Sequence, residues 1–354
     1  MRKWIFLLLL FLLWGYGVIA AWSTGDYRGQ VFMYYREDDA PVQEELARLV
    51  SREAGEEYGP GREQESGQTG KTDDGKERYP DITAWTLTED VLVQNRELGR
   101  KKQAEYMSVY GSGDMAAFRR LVDGTYGLRT DREGCVISRG LAMELFGSVA
   151  VSGKQVWCRD QAYVVRGVTD DSGYIILVLA GKEERMRCLL ISCGKDSSGE
   201  AEAERTLFRY GIGSGYVCVD GSFFSAVSCL AVLSAPVLVL GCLCREMLRR
   251  GIGKRRRLGL AVLAVFLLFL GIILIWKLDF KIPGSLIPGK WSDFDFWSRR
   301  AGELHDRMGR MGEAYRVEWL EQLKRRTGIS AACSLGTLGC FLLWGHFAYV
   351  NREG

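Results

Sequence analysis

Few residues of this 354-residue chain are of types that do chemistry, and fewer are spaced for it. There are two histidines, His305 and His346, so a metal site built on imidazole is not expected. Five cysteines (Cys135, Cys158, Cys188, Cys193, Cys218) precede residue 221, and five (Cys229, Cys242, Cys244, Cys333, Cys340) follow it. The first group is odd in number and holds no C-x-x-C pair, which argues against both a disulfide framework and a zinc site. Packing as small hydrophobes is the reading for most of them, and for Cys242 and Cys244 it stands ahead of lipid attachment. Ser66-Gly67-Gln68-Thr69-Gly70-Lys71-Thr72 ends like a loop that cradles nucleotide phosphates on its amides and lysine. That pattern needs a glycine five positions before Gly70, where Glu65 stands, and it needs a strand before and a helix after. Neither context is present, so the segment reads as a polar loop. With no nucleophile, base or metal constellation elsewhere, the chain is expected to be neither an enzyme nor a cofactor protein. Nucleic acid is not an expected partner.

The elements explain this poverty. Residues 4–22, 222–244, 258–276 and 328–350 contain no Asp, Glu, Lys or Arg. Each run is long enough to cross about 30 Å of hydrocarbon as a helix. The first is longer than a signal-peptide core and lacks a small-residue cleavage site beside Trp14, Tyr16 and Trp22, so residues 1–22 read as an uncleaved anchor. The turn 245–257 holds Arg245, Arg249, Arg250, Lys254, Arg255, Arg256 and Arg257 against Glu246 alone, which places it in the cytoplasm. Residues 23–221 and 277–327 then lie outside, and 328–354 form the last span with a short tail. The runs carry almost no ionisable groups, which disfavours a proton relay or an ion path.

Residues 23–221 are enough for a folded domain. Strands are expected at Gln30–Tyr35, Ile82–Leu87, Ala104–Tyr110, Tyr174–Ala180, Met186–Ser192 and Gly215–Val219, and helices at Gln43–Ala54 and Glu200–Tyr210. Residues near 55–78 are charged and nearly devoid of apolar side chains, and read as a disordered insertion. In 134–168 a buried strand at Val136-Ile137 leads to Ser138, which is expected to cap a short helix ending at Gly147; a turn at Gly153 and two strands follow. Strands and helices mix without regular alternation, so the class is α+β. Beyond the domain, Trp297, Ala301, Leu304, Met308, Met311, Tyr315, Trp319 and Leu323 recur at spacings of four and three, predicting one amphipathic helix of about 27 residues. Trp297, Leu304, Met308, Met311, Tyr315 and Trp319 form its candidate partner-docking face, the alternative being a helix lying on the membrane surface or the domain.

The stretch 134–168 resembles the extracytoplasmic core domain of MacB-like and FtsX-like ABC transporter permeases. The resemblance rests on Ile137, Ser138, Leu141, Ala142, Leu145, Phe146, Gly147, Gly153, Lys154, Tyr163, Val165, Gly167 and Val168, and on the order of one span, a large outer domain and three spans. Val151-Ser152 stand where that family often has a proline before the Gly-Lys turn. The matched residues, Ile137, Ser138, Leu145, Phe146, Gly147, Gly153, Lys154 and Gly167 among them, are expected to determine the fold rather than do chemistry. The resemblance implies an α+β extracytoplasmic domain of two subdomains on a four-helix transmembrane bundle, with the stretch of about 110–170 inserted in a subdomain formed by the flanking parts. It also implies a multi-pass subunit of a bacterial plasma membrane that works with a separate cytoplasmic ABC ATPase and a second permease subunit, as a homo- or hetero-dimer. Arg249, Arg250, Lys254 and Arg255 are the candidate ATPase contact; topology and anionic lipid are the other reading of that turn. A membrane-anchored receptor or scaffold without an ATPase is the competing function.

Overall fold

The computed structural model describes residues 2–55, 81–127, 131–193, 199–209, 211–213, 215–248, 253–278, 280, 295–311 and 317–350. The expected insertion near 55–78, with its phosphate-loop-like sequence, lies almost wholly outside the described residues. The chain divides into two compact units: Met1–Arg28, Asp220–Trp297 and Trp319–Gly354 make one, and Gly29–Val219 with Ser298–Glu318 make the other.

The second unit is built on ten strands: β1 (Gln30–Tyr35), β2 (Asp81–Asn95), β3 (Arg100–Tyr110), β4 (Leu121–Gly124), β5 (Gly134–Ser138), β6 (Gln155–Cys158), β7 (Gln161–Thr169), β8 (Ile175–Leu179), β9 (Cys188–Ser192) and β10 (Tyr216–Asp220). They pair in the order β10-β1-β9-β2-β3-β8-β5-β7-β4, and β6 bridges β2 and β7. That bridge closes a circuit of six strands, β2-β3-β8-β5-β7-β6, in which β3–β8 and β5–β7 are parallel. Closure removes the unpaired edges that an open sheet would leave. The mixed sheet with helices packed on it agrees with an α+β fold for this part of the chain.

Two separate apolar cores fill the unit. The first lies within the circuit, where Val93, Ile137, Val156, Val165, Val168 and Ile176 are buried together with Leu141, Ala142 and Leu145 of helix α4 (Arg139–Phe146). The second gathers Val31, Met33 and Tyr35 of β1 with Ile82, Ala84, Leu189 and Ile191. It is covered by Leu46 and Leu49 of α2 (Gln43–Gly55) and by Ala203 and Leu207 of α5 (Gly199–Arg209). Alternate residues of β1 enter this core, and Phe32 turns the other way onto Trp85, with ring centroids 5.9 Å apart. Strand β1 is therefore buried on both faces, which is why Gln30–Tyr35 reads as a continuous apolar run. One short helix and one short strand, α3 (Gly113–Ala117) and β4, were not legible in the sequence pattern.

The other unit contains α1 (Arg2–Ser23), α6 (Gly221–Leu248), α7 (Lys254–Lys277) and α9 (Glu318–Val350). These helices coincide with the four uncharged runs. Among the described residues two helices are long and apolar enough to cross a membrane, Gly221–Arg245 and Arg257–Lys277. The single amphipathic helix expected over 297–323 is not formed: α8 runs Phe296–Met311 and α9 begins at Glu318. Val317, directly before α9, is not helical, and Glu318 sets a carboxylate at the N-terminus of α9.

Candidate functional site

Residues of the segment 134–168 make local contacts. Ser138 is buried and its hydroxyl accepts from the Leu141 amide at 3.2 Å, capping α4. The same hydroxyl donates to the Gly173 carbonyl at 2.6 Å and accepts from the Ile175 amide at 3.0 Å, tying α4 to β8. Gly147 ends α4 at φ 72°, and Gly153 makes the next turn at φ 86°. Lys154 lies over the Phe146 ring at 5.4 Å. Gly167 passes so close to the Thr125 carbonyl that a side chain there would collide with it. Ile137 and Leu145 are fully buried. None of these groups is arranged to react.

The candidate contact turn is partly described. Lys254 and Arg255 are exposed in the first turn of α7, and Arg249 and Arg250 lie outside the described residues. Cations at a helix N-terminus oppose the helix dipole by about 0.3–1 kcal/mol each, so these residues do not serve the stability of α7. Cys242 and Cys244 are exposed close by in sequence.

The candidate docking face is corrected at Trp319. Its side chain belongs to α9, is buried, and meets the edge of the Tyr27 ring at 5.4 Å, so it is core and no part of an exposed stripe. The side chains of Trp297, Leu304, Met308, Met311 and Tyr315 lie outside the described residues.

What sequence reasoning missed is a polar clasp within the helical unit. The last carbonyls of α1 are capped by Ser23 and Thr24, whose hydroxyls donate to Ala20 and Ala21 at 2.7 and 2.6 Å. A single 3-10 turn, Thr24–Tyr27, then delivers Arg28. Arg28 donates to the Ser225 hydroxyl of α6 at 3.0 Å, approaches Cys229 Sγ, and donates to the Leu278 carbonyl at the C-terminus of α7. From α9, Arg326 donates to the Ser23 carbonyl at 2.7 Å and stands 5.3 Å from the Tyr27 ring. The partial negative ends of α1 and α7 are thus each met by a guanidinium from another segment. Gly221, the first residue of α6, lies against the Tyr27 backbone with no room for a side chain. Further along, the Ser330 hydroxyl donates to the Ser228 carbonyl at 3.0 Å, and Trp14 donates to the Val232 carbonyl at 3.1 Å. A Cβ on Gly17 would stand 3.0 Å from that of Cys333, so α1 and α9 touch at small residues. The available signals were Ser222, Ser225 and Ser228 at spacings of three, and Arg28 and Arg326, which lie six and two positions from the ends of uncharged runs.

Among the described residues no group of three or more His, Cys, Asp or Glu is placed to hold a metal ion. Buried thiols are unreactive: burial pushes Cys158 up to about 11 and Cys188 to about 12.

No protein-family model and no curated protein matches the chain. Solved structures similar to it include the extracellular domain of the noncanonic ABC-type transporter YknZ from Gram-positive bacteria, at 12% identity and a TM-score of 0.37, covering 54% of this chain and 99% of that one. The periplasmic region of MacB from Actinobacillus actinomycetemcomitans is similar at 12% identity and a TM-score of 0.39, covering 55% and 90%. A domain of a putative permease from Porphyromonas gingivalis is similar at 13% identity and a TM-score of 0.35, covering 55% and 91%. Each of these similarities covers a little more than half of this chain.

Proposed function

We propose that this chain is a permease-type membrane subunit of an ABC transporter or mechanotransmission complex in a bacterial plasma membrane. A separate cytoplasmic ATPase drives it, and a second permease subunit, identical or not, completes it. Four spans form its bundle, with the α/β unit outside the cell and the basic turn 245–257 inside. The observation that carries the reading is the clasp. The chain leaves the helical unit after Arg28 and after Trp297 and re-enters it at Asp220 and at Trp319; Arg28, beside the first crossing, is tied to Ser225 of α6 and to the end of α7. A shift among these helices therefore has a short hydrogen-bonded route to the chain that continues from Arg28 into β1. The motif segment and the order of one span, domain and three spans support the same reading.

Lys254 and Arg255 are kept exposed where the helix dipole disfavours them, as suits a contact with an acidic groove of the ATPase or with anionic lipid. The test is co-purification from native membranes of the full-length chain with an ABC ATPase. Lys254→Glu with Arg255→Glu should lower the recovered ATPase about tenfold or more, as for loss of charged contacts in an interface. The remaining arginines of the turn are left in place to hold the topology. Recovery of a stable complex that contains no ATPase would favour the receptor or scaffold instead.

A further inference from the structure

The hairpin joining β2 to β3 ends in a turn that is firmly held and yet displays an apolar side chain. Asn95 is buried; its amide nitrogen donates to the Leu145 carbonyl near the end of α4 at 3.3 Å. Its oxygen accepts from the amides of Glu97 and Leu98 at 3.0 and 3.2 Å, and Gly99 closes the turn at φ 64°. On this fixed backbone Leu98 is 54% exposed, and Leu92, on the outward face of β2, is 45% exposed. Cations lie on the same turn and on the adjoining β6–β7 connection. The Arg96 guanidinium lies 3.5 Å from the centroid of the Trp157 ring, Arg159 lies 4.0 Å from that of Tyr106, and Arg100 and Lys101 are exposed. Residues 96–102 carry four cations against Glu97 alone. Asp160 is 3.9 Å from Arg96 but almost fully exposed, so water screens that pair.

A turn fixed before binding loses little conformational freedom on association, and Arg and Trp are the side chains that most often carry interface energy. Cations of one sign confined to a tip attract an acidic partner. A phosphate polymer would satisfy the cations but leave Leu98 and Leu92 in water; a protein can satisfy both. We infer that the β2–β3 tip is a docking surface for a second, different protein that presents an apolar socket for Leu98 rimmed by carboxylates. This goes beyond the permease reading and does not depend on an ATPase.

Zero-length carbodiimide coupling on membranes of cells carrying the full-length chain tests it, because it joins the Lys101 ammonium only to carboxylates in contact. Mass spectrometry is expected to find Lys101 in an amide with Asp or Glu of another protein. Its yield should fall about tenfold in Leu98→Asp, as for a hot-spot contact, and clearly in the milder Leu98→Ser. Phe208→Ser, at an 87% exposed position of α5, should leave it unchanged. Absence of an intermolecular amide, an amide to another copy of this chain, or a yield indifferent to Leu98 would each overturn the inference. So would retention of the purified chain on immobilised polyphosphate through Arg96, Arg100 and Lys101 with no amide at Lys101, which would identify a polyanion instead.

Discussion

Asp131 stands where a turn meets the start of β5, and its two oxygens have separate duties. One is 2.7 Å from Arg166 Nε, and the other accepts from the amides of Gly134 and Glu133 at 2.9 and 3.2 Å. The Arg166 guanidinium, aided by those amides, holds the carboxyl below the usual carboxylate range. A depressed folded-state value means that the pair stabilises the fold above about pH 4, where the unfolded carboxyl is ionised, and that this is lost as pH falls through the lower folded value. Arg166 is 40% exposed, so the increment is no more than about 1 kcal/mol. Asp131→Asn should remove that much stability near neutrality and flatten the acid limb of a denaturation midpoint followed from about pH 6 to pH 3. The aspartate was plain in the sequence; its partner, 35 positions away, is chosen only by the pairing of β5 with β7.

The β6–β7 element sets two motif glycines under different demands. Gly153 precedes β6 at φ 86° with open space where a Cβ would go, so Gly153→Ala should cost about 1 kcal/mol through its left-handed backbone alone. Gly167 lies within β7 against the Thr125 carbonyl, so Gly167→Ala must displace backbone and should cost more, about 1–3 kcal/mol. Hydrogen exchange of the β7 amides in the full chain separates the two: Gly167→Ala should loosen β7, Gly153→Ala only the turn. An equal effect on β7 would mean that the close approach to Thr125 is not what fixes Gly167. At this scale α4 was fully legible, because Ser138 and Gly147 mark its ends by chemistry that acts locally. The interruption at Val317 was not read, since a periodicity count runs through that position without registering a break.

For the molecule as a whole, the clasp makes the helical unit depend on a residue outside α1, α6, α7 and α9. Arg28→Ala should release the ends of α6 and α7, costing about 1–3 kcal/mol for the unsatisfied buried partners and exposing Cys229, now fully buried, to alkylation by maleimide. Arg28→Lys keeps the charge but not the fork, so it should fall between. If Cys229 stays protected in Arg28→Ala, the helices are held by their apolar contacts alone, and the route from bundle to α/β unit is not through Arg28.

The sequence by itself determined which stretches are uncharged, where the basic turn lies, and most of the strands and helices of residues 23–221, α3 and β4 excepted, because hydropathy, charge placement and capping act over a few neighbouring residues. It also delivered the motif segment down to its capping serine and its turn glycines. Only the tertiary structure decided the closure of six strands into a circuit, the two cores, the burial of Trp319 on Tyr27, and the capping of α1 and α7 by Arg326 and Arg28. The two arginine contacts join residues 303 and 250 positions apart. Such partners are selected by the geometry of the folded chain, and a charge or a serine carries no mark of which distant carbonyl it will meet.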